Sequence, residues 1–172
     1  MTISKLYCKE GKLLYKLATS YHILKEKLFE KIFANKKIEV PFDAVNYNPY
    51  LYEFPVKNYS FYNNRMWTRF GPLSHKECNG HFPEYPCIPV SILMHALCRN
   101  AGRYLANILN IPHVKYSVSH AKMNASNLAF SGDSVLITTD YIGSVESQYK
   151  FECKAFSQTD TEYAKLQLTL EK

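Results

Sequence analysis

No apolar run in this chain reaches the roughly 18 residues that a membrane-spanning helix needs. The first residues also lack the apolar stretch of a secretory signal, because Lys5, Lys9, Glu10 and Lys12 interrupt it. Both absences lead to the expectation of a soluble, cytoplasmic protein. The cysteines (Cys8, Cys78, Cys87, Cys98, Cys153) are odd in number and scattered, which argues against a disulfide framework and for free thiols in a reducing compartment. No internal repeat, linker or low-complexity tract interrupts the 172 residues, so a single domain with a real core is expected. Gly-rich phosphate loops, Ser–His–Asp arrangements and paired-carboxylate motifs are missing as well. The net charge of +6 suits an acidic partner, with lysines gathered at Lys25, Lys27, Lys31, Lys36 and Lys37. No nucleic-acid-binding motif accompanies them, which leaves a solvated helix face or an acidic protein or membrane partner.

Aromatic residues are plentiful, with 14 tyrosines and 10 phenylalanines, and favour strands and apolar pockets. Leu13, Leu14, Leu17, Tyr21, Leu24, Leu28 and Ile32 recur at three- and four-residue steps and predict an amphipathic helix over 8–34. Residues 38–56, with Pro41, Pro49 and Pro55, read as a loop and a short strand. A strand is expected over 58–71, turned or bulged at Asn63-Asn64. The clearest helix covers 89–110: Pro89 suits its first turn, a wide apolar face runs from Ile92 to Leu109, and Asn110 and Pro112 end it. Strands follow at 113–123, Val135–Ile142, around Tyr149–Ala155 and around Ala164–Leu170, the last two with period-two alternation. One buried helix followed by an antiparallel meander predicts an α+β domain whose sheet wraps that helix. The expected division is an N-terminal helical extension over 1–40 and the main domain over 41–172.

Between the 58–71 strand and the long helix lies Gly80-His81-Phe82-Pro83-Glu84-Tyr85-Pro86-Cys87-Ile88-Pro89. Each proline fixes its own φ and restricts the residue before it, so this loop holds His81 in one place, as catalysis requires of an imidazole. The segment resembles the signature of the hot-dog fold, in particular of the bacterial 3-hydroxyacyl-[acyl-carrier-protein] dehydratases and their polyketide-synthase relatives. Gly80, His81, Phe82, Pro83, Pro86 and Pro89 match that signature outright. Ala96-Leu97, Ala101-Gly102, Ala121-Lys122-Met123 and Ser131-Gly132-Asp133-Ser134 follow it loosely, so the resemblance covers about residues 58–172. It departs at three positions: His95 stands where the family has its catalytic carboxylate, Val90 where it has a glycine, and Arg99 where it has a glutamine.

The resemblance implies a 3-hydroxyacyl thioester dehydratase. His81 would remove the proton next to the thioester carbonyl, with His95 the residue placed to protonate the leaving hydroxyl. Gly80, Phe82, Val90, Ser91 and Arg99 would line the substrate site, with the Val90 and Ser91 amides facing the carbonyl. Two nearby imidazoles titrate as a pair in which the second proton is disfavoured, so other thioester chemistry (hydrolysis, isomerisation, cyclisation) and a catalytically degenerate partner subunit stay open. The family further implies a dimer with a continuous sheet, His81 of one chain facing position 95 of the other, acyl carrier protein as partner, and no cofactor. Exposed sheet edges give a reason to pair, as a homodimer or a heterodimer. Three plainer readings remain: His81 bonded only to backbone, His95 a satisfied core histidine, or His75, Cys78, His81 and Cys87 as zinc ligands in H-x2-C-x2-H-x5-C spacing. A nucleophilic pair of Cys78 or Cys87 with His81 or His95 is the last alternative, against buried packing of Cys87.

Overall fold

The computed structural model describes residues 1–39, 57–75, 77–78, 82 and 84–172, the side chains of Lys57 and Asn58 excepted. The chain divides into two compact units, Met1–Asn35 and Lys36–Lys172.

The first unit corrects the expected helix over 8–34. Strands β1 (Thr2–Tyr7) and β2 (Leu13–Thr19) pair as an antiparallel hairpin, and the helical residues are Glu26–Ile32 (α1) and a 3-10 turn at Ala34–Lys36. The reversal lies at residues 8–12, where the Cys8 amide bonds the Lys12 carbonyl at 2.9 Å and Gly11 takes a φ of 79°. A left-handed glycine there stops any helix that Leu13 and Leu17 might continue. The leucine spacing satisfies a helical period, but Leu13, Tyr15 and Leu17 also satisfy a period of two.

The second unit is a six-stranded antiparallel sheet with one long helix on its face. Its strands are β3 (Lys57–Tyr62), β4 (Arg65–Phe70), β5 (Ser117–Ala125), β6 (Val135–Val145), β7 (Gln148–Phe156) and β8 (Glu162–Glu171), and the helix is α2 (Val90–Ile108). Their order across the sheet is β3-β4-β6-β7-β8-β5. The strand expected over 58–71 is thus two strands. Asn63 and Asn64 turn it, with φ of 48° and 56°, the left-handed pair that a tight hairpin of matching twist requires. The strand expected at 113–123 begins at Ser117, and the one at 135–142 runs on to Val145 past a bulge beside Gly143. The short strand expected within 38–56 lies outside the described residues.

Pairing register puts one set of side chains toward α2. Met66, Thr139, Cys153 and Leu166 form one row across four strands, and Thr68, Ile137, Ala155 and Ala164 form the next. Against these rows α2 buries Leu93, Leu97, Ala101, Tyr104 and Leu105. Each such aliphatic side chain withdrawn from water contributes about 1.5–3 kcal/mol, so this contact is the main source of the fold's stability. The opposite sheet face is wet and charged. Arg65 grips Asp140 with two bonds of 2.6 and 3.0 Å, and Lys165 meets Glu152 at 2.7 Å. The helix closes with a two-bond reversal: the Ile111 amide reaches the Ala106 carbonyl at 3.0 Å, the Asn110 amide reaches Asn107, and Asn110 adopts φ 51°.

Tyr116, just before β5, packs against α2 at Gly102, where an added Cβ would overlap the hydroxyl-bearing edge of its ring. Gly102→Ala is expected to cost about 1–3 kcal/mol by overpacking, outweighing alanine's better helix propensity of about 1 kcal/mol. In a Tyr116→Ala background the same substitution should become neutral or stabilising. Urea denaturation of the four proteins measures both steps, and an unchanged cost in that background would refute the contact.

Candidate active site

The signature loop is stitched to the turn before β6. The Ile88 amide bonds the Ala129 carbonyl at 2.8 Å, the Ser131 amide bonds the Pro86 carbonyl at 2.9 Å, and Cys87 bridges Phe130. Tyr85, Cys87 and Ile88 are buried. Alternation of proline with buried residues explains the local path: the prolines keep the backbone extended while the side chains between them anchor it.

Asp133 ties this region together. One carboxylate oxygen accepts the Phe130 amide at 2.9 Å and the Tyr163 hydroxyl at 3.2 Å, and the other meets the Lys36 ammonium at 3.1 Å. Its backbone carbonyl takes the Leu73 amide at 2.9 Å, while the Gly132 amide returns to the Leu73 carbonyl at 2.7 Å. Gly71 lies so close that a Cβ would sit 2.9 Å from the same Asp133 carbonyl. Lys37 pairs with Glu84 at 2.8 Å, and the Ile38 amide bonds the Glu84 carbonyl at 2.9 Å. The segment after the first unit therefore runs along the loop. In the sequence Asp133 stands out only within Ser131-Gly132-Asp133-Ser134, because its partner Tyr163 lies 30 positions away, beyond any local pattern.

Of the expected site residues, Gly80 and His81 lie outside the described residues. Phe82 is 39% exposed, and its carbonyl accepts the Tyr85 amide at 3.0 Å. Pro89 caps α2, and its carbonyl accepts the amides of both Ile92 and Leu93. Val90 and Ser91 thus precede the first intrahelical bonds, where backbone donors point outward along the helix axis. Ser91, His95 and Arg99 are spaced by four and share one stripe of α2. Ser91 and His95 are exposed, and Arg99 is partly buried. The core-histidine reading of His95 is thereby corrected: the buried face of α2 passes through Ile92, Leu93, Ala96 and Leu97, and His95 projects from the other side.

Burial disfavours four of the thiols as nucleophiles. Burial pushes Cys78, Cys87 and Cys153 up to about 12 and Cys98 up to about 11, so each stays a neutral thiol. Packing is what Cys87 does. Among the described residues no group of three or more His, Cys, Asp or Glu side chains is placed to hold a metal ion. No described helix is long and apolar enough to cross a membrane.

No family model matches the sequence. Solved structures do match. The smu.793 protein of Streptococcus mutans, bound to acetyl CoA, shares 14% identity at a TM-score of 0.54, covering 67% of this chain and 88% of its own. A hypothetical thioesterase of Streptococcus pneumoniae with coenzyme A shares 9% at 0.55, covering 70% and 95%. Thioesterase superfamily member 2 of Mus musculus shares 10% at 0.56, covering 84% and 92%. The last two are described as a thioesterase and a thioesterase superfamily member, and what this chain has in common with all three is the fold. The antiparallel sheet wrapped on α2 is a hot-dog fold.

Sequence reading also passed over Asn100. It continues the inward stripe Leu93, Leu97, Asn100, Tyr104 and is fully buried. The one available signal was an amide at a spacing otherwise filled by apolar residues.

Two outcomes follow from this site. Iodoacetamide on the native protein should label Cys8, which is partly exposed, at least about tenfold faster than Cys78 or Cys87, as peptide mass spectrometry would read. Equal labelling would refute the buried thiols. Burial, reinforced by the Asp133 charge and hydrogen bond, pushes the Tyr163 hydroxyl up to about 12. The folded state then keeps a proton that the unfolded chain releases near pH 10, so stability should fall as pH rises from about 10 to 12. Urea midpoints of Tyr163→Phe should fall less steeply over that window than those of the wild type.

Proposed function

We propose that this chain is an acyl-thioester enzyme whose reaction is hydrolysis, working as a homodimer on thioesters of a pantetheine-bearing carrier such as coenzyme A or acyl carrier protein. The observation that carries this reading is the outward stripe of α2. Directly beyond the proline loop it presents Ser91, His95 and Arg99 and no carboxylate. Hydrolysis needs a base to activate water, donors for the carbonyl oxygen, and a leaving group. A thiol leaves readily, so no strong acid is required. Dehydration must expel hydroxide and needs an acid beside the base.

In the proposed reaction His81 takes a proton from water, whose oxygen attacks the thioester carbonyl. The amides at the start of α2 stabilise the developing oxyanion. Collapse breaks the carbon–sulfur bond, and the proton on His81 passes to the departing thiolate. The products are a carboxylic acid and a free thiol. Arg99 supplies positive charge for an anionic portion of the carrier. Support comes from the fold, from neighbours named as thioesterases, and from the acetyl CoA and coenzyme A bound to two of the structural neighbours. Dehydration is the second reading, favoured by the matched Gly80, His81, Phe82, Pro83, Pro86 and Pro89.

Mass spectrometry separates the two. With acyl and 3-hydroxyacyl thioesters, release of the whole acyl group is expected, and His81→Ala should slow it by about 10²–10⁴-fold. Loss of one water from the 3-hydroxyacyl substrate, with the thioester intact, would replace hydrolysis by dehydration. His95→Glu should raise any dehydration relative to hydrolysis. Turnover unaffected by His81→Ala would overturn both.

A further inference from the structure

Of the twenty large hydrophobic side chains that stay exposed among the described residues, thirteen belong to the unit Met1–Asn35. No residue of that unit is buried, the least exposed being Cys8, Phe29 and Phe33. A two-stranded hairpin with no covered face is only marginally stable in water, and so much exposed apolar surface marks a place where something docks.

The exposed side chains are sorted by charge. Leu6 pairs with Tyr15, Ser4 with Leu17 and Thr2 with Thr19, so these six share one hairpin face, and that face carries no charge. Leu6, Tyr15 and Leu17 are 56%, 55% and 60% exposed. The other face holds Lys5 directly opposite Lys16, like charges that an anionic neighbour would relieve. Helix α1 repeats the sorting. Leu28 and Ile32, four apart, are exposed and flanked by Lys31, while Glu26 and Glu30, also four apart, fall on the opposite side of the helix. The unit holds Lys5, Lys9, Lys12, Lys16, Lys25, Lys27 and Lys31 against Glu10, Glu26 and Glu30, with no aspartate and no arginine. That composition chooses between partners. Protein interfaces are enriched in arginine and depleted of lysine, and guanidinium forks are what grip carboxylates in pairs. A bilayer interface takes this unit's mixture: aliphatic and tyrosine side chains enter the headgroup boundary, while flexible lysine stems reach anionic lipids.

We propose that Met1–Asn35 is a peripheral docking unit for an anionic lipid surface, its exposed apolar side chains entering the headgroup boundary and its lysines drawn to acidic headgroups. Charge brings the unit to the surface and is screened by salt, whereas apolar burial holds it there and is not. The unit lies on the surface without crossing it, since α1 has seven residues. This inference goes beyond the thioester reading and does not depend on it.

The test is co-sedimentation of the full chain with two kinds of vesicle, phosphatidylcholine alone and phosphatidylcholine with about a third phosphatidylserine. Binding to the mixed vesicles should be at least about tenfold stronger than to the neutral ones and should weaken as salt is raised. Joint replacement Lys27→Gln and Lys31→Gln should weaken it by about fivefold for each lysine removed. Both positions are exposed, so the fold is kept, as circular dichroism would check. In Tyr15→Trp the added emission should move to the blue on mixed vesicles, as contact with the headgroup boundary requires. Joint replacement Leu6→Ser and Leu17→Ser should remove binding, and if it unfolds the hairpin instead, the lysine and tryptophan variants decide the matter. Equal binding to both vesicles, binding to neither, or an unmoved tryptophan overturns the proposal. Two results would also name the true occupant. Self-association that the leucine variant loses, without vesicle binding, assigns the face to a second copy of this chain. Binding of polyglutamate but of neither vesicle assigns the lysines to an acidic protein.

Discussion

Everything in the second unit depends on one contact, the burial of a single stripe of α2 on the inner rows of the sheet. Leu93, Leu97 and Tyr104 reach across β6, β7 and β8, and the Leu97 carbonyl, already used within the helix, also accepts the Cys153 thiol. A helix has only one face to give to such a contact. Whatever α2 presents to solvent therefore comes from its other side. That constraint sends Ser91, His95 and Arg99 outward.

A second constraint joins the sheet to the proline loop. The loop cannot form a helix or a ladder of its own, because prolines at 83, 86 and 89 remove donors and fix φ. It borrows order from residues 129–133, whose turn is closed by Asp133. That aspartate also holds Tyr163 on β8 and Lys36 at the start of the unit. Strand, turn and loop thus share one carboxylate. The position of Pro89, and hence of the first donors of α2, is set by the sheet rather than by the loop alone.

These two constraints explain what the sequence made legible. The apolar face from Ile92 to Leu105 could be read because its period matches one element and nothing else. The paired alternations of β7 and β8 could be read for the same reason. Leu13 to Leu17 could not, since three- and two-residue periods both fit and the choice lay with the reversal at Gly11. Asn63-Asn64 was legible as a break, and the left-handed φ of both residues decides that the break is a turn. At the site, spacing placed Ser91, His95 and Arg99 on one stripe, but whether that stripe faces core or solvent depended on where the sheet lay. Asp133 was hidden because its partner Tyr163 lies on a strand distant in sequence.

The exposure of His95 bears on assembly. Tyr116 leads into β5, an edge strand, and its hydroxyl reaches the Cys98 carbonyl at 3.5 Å, while burial pushes the phenol's pKa up and the nearby Arg99 charge opposes that only in part. The edge of the sheet and the outward stripe of α2 are therefore neighbours. A second copy pairing along β5 would extend the sheet and at the same stroke arrive beside Arg99 and His95. In such a dimer, of the kind proposed, the open flank of the protomer becomes a wall between subunits. Desolvation there would strengthen every charge and hydrogen bond that the stripe presents. In that proposed dimer the His95 imidazole, exposed in one chain, would lie between two.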